Sequence, residues 1–312
     1  MVSIRFLGLI IFLLIYFNKS MGQLNPNKEV LNKIDSLVST WDNPKTPGGA
    51  ISIYQESQRF YEKYFGLEDM SKKIKISKNT PFHLASITKQ FTGMCIALLE
   101  EQGKINLNDE ICTFFPDFKL CKGIQIKHLL NHSSGIREAS VIAILSGYVN
   151  LKGELPKKRN NNSFLMKVLK KERDVNFVQG TESAYTNTNY RLLAEIVEKV
   201  SGIQFKDFAD SAIFKPLKMS HTRVLDFDKP SKIKGYHLNG KRFVKRELKS
   251  GTYGDDNIIT TLHDMVLWNL NFYKNKLGNQ NQSLIHDSTT NLELDYGKAS
   301  NRGYGWFLGI YW

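Results

Sequence analysis

The segment Pro81-Phe82-His83-Leu84-Ala85-Ser86-Ile87-Thr88-Lys89 places a serine and a lysine three positions apart, where an extended stretch meets a predicted helix. Residues i and i+3 share one face of a helix, so the Lys89 amine can lie beside the Ser86 hydroxyl. A serine is a weak nucleophile without an adjacent base, and burial among apolar groups disfavours the charged form of a lysine. The pair suits a nucleophile with its base, but a helix cap followed by a surface lysine is the simpler interpretation of these residues alone.

A second polar motif, Tyr185-Thr186-Asn187, lies in a turn that precedes another predicted helix. Side chains two positions apart on an extended segment point the same way, so the phenol and the amide can face one site. A phenol beside a lysine can move protons, and an asparagine can hold a substrate amide. Taken alone, a capping turn with an incidental tyrosine is again the simpler interpretation.

Four further blocks accompany these two motifs in a fixed order. They are QGKINLND at 102–109, IKHLLNHSSGI at 126–136, FKPLKM at 214–219 and GDDNIITT at 254–261. Together the six blocks resemble the serine β-lactamase and penicillin-binding superfamily, specifically its class C-like branch of β-lactamase-related serine hydrolases and D,D-peptidases. The Tyr-x-Asn motif, in place of the Ser-Asp-Asn of class A enzymes, indicates the class C-like arrangement.

This resemblance implies a β-lactamase/transpeptidase-like α+β fold, with an antiparallel sheet flanked by helices and a mostly helical subdomain. It implies that Ser86 is the acylated nucleophile and that its backbone N–H is half of the oxyanion hole. Lys89 would be the basic partner, Tyr185 the general base or proton shuttle, and Asn187 a substrate-binding residue. The resemblance implies neither a metal nor another cofactor.

The sequence departs from the family pattern at two places. Lys218 stands where glycine is usual in the FKPLKM block. The family's third motif, a Lys or His followed by Ser or Thr and Gly, is expected after 303–306, and no such motif precedes Trp312. We therefore expect residues 23–312 to form a hydrolase domain truncated at its C-terminus, in which the C-terminal strands of the family's sheet are missing.

The histidines of the 126–136 block and the three cysteines are predicted to have structural roles. His128 and His132 are four apart, but the spacing lacks the glutamate of an H-E-x-x-H zinc motif. Cys95 lies in an apolar helical pattern and is expected in the core. Cys112 and Cys121 lie nine residues apart, and they could form a disulfide in an oxidising compartment or remain reduced and buried.

Hydrophobic periodicity predicts the elements around the motifs. Val30, Ile34, Leu37 and Trp41 recur at helical spacing, and β-rich runs at 50–54 and 59–65 predict a hairpin. Further helices are predicted, in chain order, over 87–102, over 126–131, over 164–172 with Ser163 as the cap, over 190–201, and after Thr261.

The first 22 residues, 1–22, predict a secretory signal peptide. Arg5 provides a short basic region, 6–17 is an apolar run, and small residues precede Gln23, the expected mature N-terminus. This run is shorter than the roughly 20 apolar residues that span a bilayer. We expect an exported protein, periplasmic or extracellular; an uncleaved signal that anchors the chain in the membrane is the alternative.

The charge of the chain bears on its partners. The 312 residues include 43 Lys and Arg against 30 Asp and Glu, a net charge of +13. These cations are scattered and alternate with acids, with no basic helix or aromatic RNA-binding motif, so we expect no nucleic-acid partner. The positive excess could favour loose contact with an anionic cell envelope. The expected partner is a small-molecule or peptide substrate, and the sequence makes no prediction of oligomeric state.

These observations predict an exported serine hydrolase that forms an acyl-enzyme through Ser86 and cleaves an ester or amide. The substrate classes implied are β-lactams, D-amino-acid peptides and esters. The alternative is a non-catalytic binding or sensing module of the cell envelope with the same fold. The absent third motif favours this module, whereas the intact Ser86, Lys89, Tyr185 and Asn187 favour the enzyme.

Overall fold

The computed structural model describes residues 27–55, 57–145, 147, 162–225, 233–246 and 251–308. The chain divides into two units, the first ending at Ser77 and the second beginning at Lys78. The predicted signal peptide, 1–22, lies outside the described residues.

The first unit consists of a helix, a hairpin and two short strands. Its helix begins after Asn27, whose side chain accepts a hydrogen bond from the Glu29 N–H. The hairpin strands pair antiparallel from Gly49 opposite Phe65 to Gln55 opposite Gln58. The elements are α1 (Lys28–Ser39), β1 (Gly49–Gln55), β2 (Gln58–Phe65), β3 (Leu67–Asp69) and β4 (Ile74–Lys75).

The structure confirms the predicted first helix and hairpin, but the helix exposes much of its apolar face. The Tyr61 hydroxyl donates a 2.6 Å hydrogen bond to the Asp35 carboxylate and joins the hairpin to α1. Val38 is buried, whereas Leu37 and Trp41 are 74% and 62% exposed. Trp41 follows the end of α1, so the helix ends before the last residue of the predicted apolar pattern.

The second unit is built around a helix that is buried on every side. Phe91, Ile96 and Leu99 on this helix have no exposed surface, and a helix that is apolar all round must be enclosed by other elements. The helices of this unit are α2 (Thr88–Glu101), α3 (Ile126–Leu130), α4 (Ala139–Leu145), α5 (Asn162–Leu169), α6 (Asn187–Ser201), α7 (Phe205–Ala209), α8 (Leu262–Asn271) and α9 (Gln282–Thr289).

Helices α6, α7 and α9 pack against α2. The centre of the Phe91 ring lies 4.3 Å from that of Trp268 on α8 and 5.7 Å from that of Phe214. Phe214 is the last residue of a π-helical turn that follows α7. Gly202 ends α6 in the left-handed conformation, with φ of 76°.

A small antiparallel sheet leads directly to the Ser86 segment. Its central strand contains Ile259, which pairs with His83 on one neighbouring strand and with Arg223 on the other. The Leu84 N–H also donates to the Ile258 carbonyl at 2.9 Å, so the sheet fixes the approach to Ser86. A separate hairpin completes the strands of this unit, which are β5 (Phe82–His83), β6 (Arg223–Val224), β7 (Gly235–Asn239), β8 (Arg242–Arg246) and β9 (Ile258–Thr260).

The predicted α+β fold class is confirmed, and each pair of neighbouring strands among the described residues is antiparallel. Helices α5 and α6 differ most from their predicted bounds. Helix α5 includes Ser163 and ends at Leu169, so Ser163 is not its cap. Helix α6 begins at Asn187, because the Thr186 hydroxyl caps it by accepting the Thr188 N–H.

Cys112 and Cys121 form a disulfide in the structure, with their Cα atoms 4.8 Å apart. Of the two states that the sequence left open, the structure contains the oxidised one. Cys95 is a free thiol in the core, and burial raises its pKa.

Candidate active site

Ser86 lies in a single 3-10 turn, Ala85–Ile87, immediately before α2. The preceding residue, Ala85, has a φ of +47°. A residue with a Cβ in the left-handed region is strained by about 1–2 kcal/mol, and such strain persists where the surrounding structure enforces it. The turn leaves Ser86 exposed at the start of the buried helix.

Lys89 lies in the first turn of α2 with its side chain buried and only 3% of its surface exposed. Its Nζ atom donates hydrogen bonds of 2.9 Å to Asn187 Oδ1 and 2.9 Å to the Asp255 carbonyl, and it lies 3.4 Å from Ser86 Oγ. It also lies 5.0 Å from the centre of the Tyr185 ring. The lysine is thus a buried neighbour of the serine and not the surface residue of the simpler interpretation.

Tyr185 and Asn187 reach the same point from the other side. The Tyr185 hydroxyl donates a 2.9 Å hydrogen bond to Ser86 Oγ and lies 3.3 Å from Asn187 Oδ1. Both side chains therefore face one site, as their spacing predicts. The structure brings together all four residues singled out from the sequence: Ser86, Lys89, Tyr185 and Asn187.

A half-buried carboxylate holds the Tyr185–Asn187 turn in place. Glu138 Oε2 accepts hydrogen bonds from the Asn187 N–H at 2.7 Å and from the Thr186 hydroxyl at 2.9 Å. Burial alone would raise the pKa of Glu138, but the charge of Arg191 and these hydrogen bonds outweigh it and lower the pKa. The sequence interpretation missed Glu138, whose only local signal is its place just after the 126–136 block.

His132 packs beneath the same turn. Its ring lies 4.7 Å from the Tyr185 ring, and its Nδ1 accepts the Thr186 N–H at 3.3 Å. Burial, with the nearby charges of Arg302 and Lys89, lowers the pKa of His132 to about 3. The neutral ring therefore supports Tyr185, which fits the structural role expected from the sequence.

His128 has a different environment from His132. Its Nε2 lies 3.0 Å from Asp295 Oδ1, and its Nδ1 accepts the Gln125 N–H at 3.1 Å. Within the described ranges, no group of three or more His, Cys, Asp or Glu side chains is placed to hold a metal ion.

Two aspartates lie behind Lys89. Asp255 forms a 2.9 Å ion pair with Arg191, and both side chains are largely buried. Burial raises the pKa of Asp255, and the charge of Arg191 opposes that rise. Asp256 pairs with His83 on β5 at 2.9 Å. The 254–261 block had been noted in the sequence, but no local pattern assigns these two partners.

Three of these residues, Ser86, Lys89 and Tyr185, border a pocket of about 530 Å³. One wall is a tight turn near the end of the described chain, where Gly305 has a φ of +89° and lies so close to the Lys89 carbonyl that a Cβ would clash. Residues lining the pocket are Ser86, Ile87, Lys89, Gln90, Leu130, His132, Tyr185, Tyr190, Arg302, Gly305, Trp306 and Phe307. The sequence interpretation did not identify this wall.

An exposed serine one turn ahead of a buried helix, with a lysine and a Tyr-x-Asn motif against it, is the arrangement of β-lactamase-fold hydrolases. The chain belongs to the Beta-lactamase family, which matches residues 34–312. The resemblance found in the sequence is therefore confirmed at the level of the family.

Curated relatives match most of this chain. It is 29% identical over 272 residues to Protein flp of Staphylococcus aureus strain N315, which covers 84% of this chain and 52% of that protein. It is 30% identical over 255 residues to Teichoic acid D-alanine hydrolase of Staphylococcus aureus strain MRSA252, covering 80% of this chain and 60% of the relative. The chain thus spans about half to three-fifths of the length of these relatives.

Solved structures give the same fold. FmtA from Staphylococcus aureus aligns with a TM-score of 0.70 and 27% identity over 89% of this chain and 74% of FmtA. The octameric penicillin-binding protein homologue from Pyrococcus abyssi aligns with a TM-score of 0.74 and 24% identity, covering 88% of this chain and 64% of its own. The second likeness establishes the fold alone.

None of the helices in the described ranges is both long and apolar enough to cross a membrane.

Proposed function

We propose that this protein is an exported serine hydrolase that cleaves an ester or amide through an acyl-enzyme on Ser86. One observation carries the proposal: Ser86 Oγ lies at a pocket, 2.9 Å from the Tyr185 hydroxyl and 3.4 Å from Lys89 Nζ. A serine becomes an effective nucleophile when a base lies within reach of its hydroxyl.

In the proposed reaction, Ser86 Oγ bonds to the acyl carbon, and Lys89 accepts the serine proton. Tyr185, which contacts the same oxygen, relays this proton to the departing alkoxide or amine as the tetrahedral intermediate collapses. The Ser86 backbone N–H stabilises the oxyanion, a kind of contact worth about 10²–10³ in rate. Water then attacks the acyl-enzyme by the same route, which releases the acid and restores Ser86.

Asn187 has two roles in this proposal. Its Oδ1 accepts a hydrogen bond from Lys89 at 2.9 Å and so holds the amine beside Ser86. Its amide nitrogen is the group that would bind the substrate. Glu138 and His132 position the Tyr185–Asn187 turn through the contacts described above.

The substrate classes that we propose are D-alanyl esters, D-amino-acid peptides and β-lactams. A relative with 30% identity carries the name Teichoic acid D-alanine hydrolase, and for this reason we propose D-alanyl esters first. We also propose export on the leader 1–22, because the short apolar run follows Arg5 and precedes small residues. The disulfide between Cys112 and Cys121 supports an oxidising destination.

Turnover of the three substrate classes by the purified full chain tests this function. Ser86→Ala should abolish release of D-alanine and opening of a chromogenic β-lactam, while the melting temperature stays unchanged. Ser283→Ala, which removes an exposed hydroxyl on α9, is the matched control and should retain full turnover. A folded wild-type protein that hydrolyses none of the three classes would favour the non-catalytic binding module.

A further inference from the structure

We propose that Arg302 binds an anionic group of the substrate, a carboxylate or a phosphate, beside the acyl group that Ser86 attacks. This inference rests on the proposed function, because Arg302 and Ser86 line the same pocket. It adds a charge requirement to the substrate that the proposed chemistry does not itself impose.

The Arg302 guanidinium is stacked and has no ionic partner among the residues that the structure describes. Its Cζ lies 3.6 Å from the centre of the Phe307 ring, so one face of the planar group covers the aromatic ring. No carboxylate within the described ranges forms an ion pair with it. Stacking leaves the N–H edge of a guanidinium open, and this edge matches the two oxygens of a carboxylate or phosphate.

Partial burial makes this unpaired charge receptive to an anion. Arg302 is half-buried, and burial lowers its pKa, although the tyrosines Tyr185 and Tyr190 oppose that change. A cation removed from water without a counter-charge is unfavourable, and an anion that pairs with it restores the lost interaction. A fully exposed arginine would gain little free energy from pairing with an anion.

Among the basic side chains that line the pocket, Arg302 is the one with uncommitted donors. Lys89 already contacts Asn187, Asp255 and Ser86. His132 is neutral, since its pKa is lowered to about 3. An anion that enters the pocket therefore has the Arg302 guanidinium as its charged partner.

Hydrogen bonds fix the backbone around Arg302, and the stacking on Phe307 positions the guanidinium in advance. The Arg302 N–H donates to Asn291 Oδ1 at 3.2 Å, and its carbonyl accepts the Leu292 N–H at 2.8 Å. The turn that follows is closed by a 3.1 Å hydrogen bond from the Gly303 N–H to the Trp306 carbonyl. Preorganisation of this kind reduces the entropy lost when a ligand binds.

Matched pairs of esters test the inference on the full chain. One pair is para-nitrophenyl butyrate and mono-para-nitrophenyl succinate, which differ by a carboxylate. The other is D-alanyl glycerol and D-alanyl glycerol phosphate, which differ by a phosphate. In Arg302→Gln, the ratio of kcat/KM for the anionic over the neutral ester should fall about 10- to 100-fold, the loss of a charge-assisted hydrogen bond.

Arg302→Lys should retain part of this ratio because it keeps the charge. Arg223→Gln removes an equal charge at an exposed position on β6, outside the pocket lining, and should leave the ratio unchanged. If the kcat/KM ratio falls further for the succinate pair, the anion is a carboxylate; if it falls further for the glycerol phosphate pair, the anion is a phosphate. Ratios that do not fall in Arg302→Gln for either pair overturn the inference while the hydrolase proposal stands.

A binding measurement separates this inference from the hydrolase proposal. Succinate and glycerol phosphate are titrated calorimetrically into Ser86→Ala, with and without Arg302→Gln. If Ser86→Ala binds the anions and Ser86→Ala with Arg302→Gln does not, the anion site is supported. If the wild type also shows no turnover, the anion site stands and the hydrolase proposal is rejected. Equal binding with and without Arg302, or no binding to either protein, overturns the anion site.

Discussion

Lys89 Nζ donates its 2.9 Å hydrogen bond to the backbone carbonyl of Asp255, while the Asp255 carboxylate pairs with Arg191. The amine is therefore held by neutral acceptors and not by a direct ion pair. A lysine ammonium offers three donors, whereas a neutral amine could keep two of these contacts and turn its lone pair to Ser86. The arrangement lets Lys89 exchange a proton without breaking a salt bridge.

Replacement of Lys89 by arginine tests the need for a proton acceptor. A guanidinium keeps the positive charge but cannot be deprotonated in a protein. We expect Lys89→Arg to slow acylation by about 10²–10⁴, the usual contribution of general base catalysis. Stopped-flow acylation by a chromogenic ester measures the effect, with the melting temperature as the control for folding. If Lys89→Arg is acylated as fast as the wild type, Lys89 is not the general base.

Arg191 is expected to contribute strongly to stability through Asp255. Its loss in Arg191→Met leaves a buried carboxylate without its partner, and Asp255 Oδ1 already lacks a hydrogen-bond partner among the described residues. Breaking one side of a buried ion pair costs about 3–5 kcal/mol. Urea unfolding should show a loss of this size in the free energy of unfolding.

The double variant Arg191→Met with Asp255→Asn is the control for this pair. Removal of the stranded charge should recover much of the lost stability, because the amide is neutral and similar in shape. A double variant no more stable than Arg191→Met alone would show that packing, and not charge, accounts for the effect.

His83 is expected to make stability depend on pH. Burial alone would lower its pKa, but the hydrogen bond and charge of Asp256 outweigh this and raise the pKa above the ordinary 6.5. The folded state then holds the proton more tightly than the unfolded state. The contribution is full below about pH 6.5 and is lost as pH rises through the raised pKa.

Denaturant unfolding of the wild type and His83→Gln at several pH values measures this contribution. The stability difference between the two proteins should shrink as pH rises from about 6 to about 8. His237→Gln, which removes an exposed histidine on β7, is the matched control against which the pH dependence of His83→Gln is compared. A wild-type advantage over His83→Gln that grows with pH contradicts the assigned pair.

Lys218, which stands where the family pattern has glycine, lies in a strained backbone conformation. The structure gives this residue a φ of +59°, in the region that favours glycine, where the chain turns after the π-helical segment. Lys218→Gly should raise the free energy of unfolding by about 1 kcal/mol, measured by urea denaturation. Lys218→Ala removes the same charge but keeps the Cβ, so it should give no gain, and an equal gain in both variants would point to charge instead.

The parts of the fold that the sequence could predict are those with strong local signals. The long apolar pattern of α2, the hairpin with its short turn, and Thr261 as the cap of α8 were all found. The strands β4, β5 and β6 have two residues each, which is too short for an alternating pattern to appear. Pairing with β9, which is distant in the sequence, places β5 and β6 in their sheet.

The candidate site shows the same division. Ser86, Lys89, Tyr185 and Asn187 were found because each pair lies within one short motif. Glu138 and Asp255 were missed because their contacts with the site use backbone groups or residues distant in the sequence. The Lys89 contact to the Asp255 carbonyl, for example, spans 166 positions and uses an atom that every residue possesses.

Peptide mapping of a trapped adduct tests the central claim most directly. The folded protein is treated with a fluorophosphonate, digested and analysed by tandem mass spectrometry, with a sample unfolded in urea before treatment as the control. We predict one adduct, on Ser86, in the folded sample and none on Ser86 in the unfolded sample, because the nucleophile depends on the Lys89 and Tyr185 contacts. A folded protein that forms no adduct on Ser86, or that reacts at another residue instead, would contradict the account.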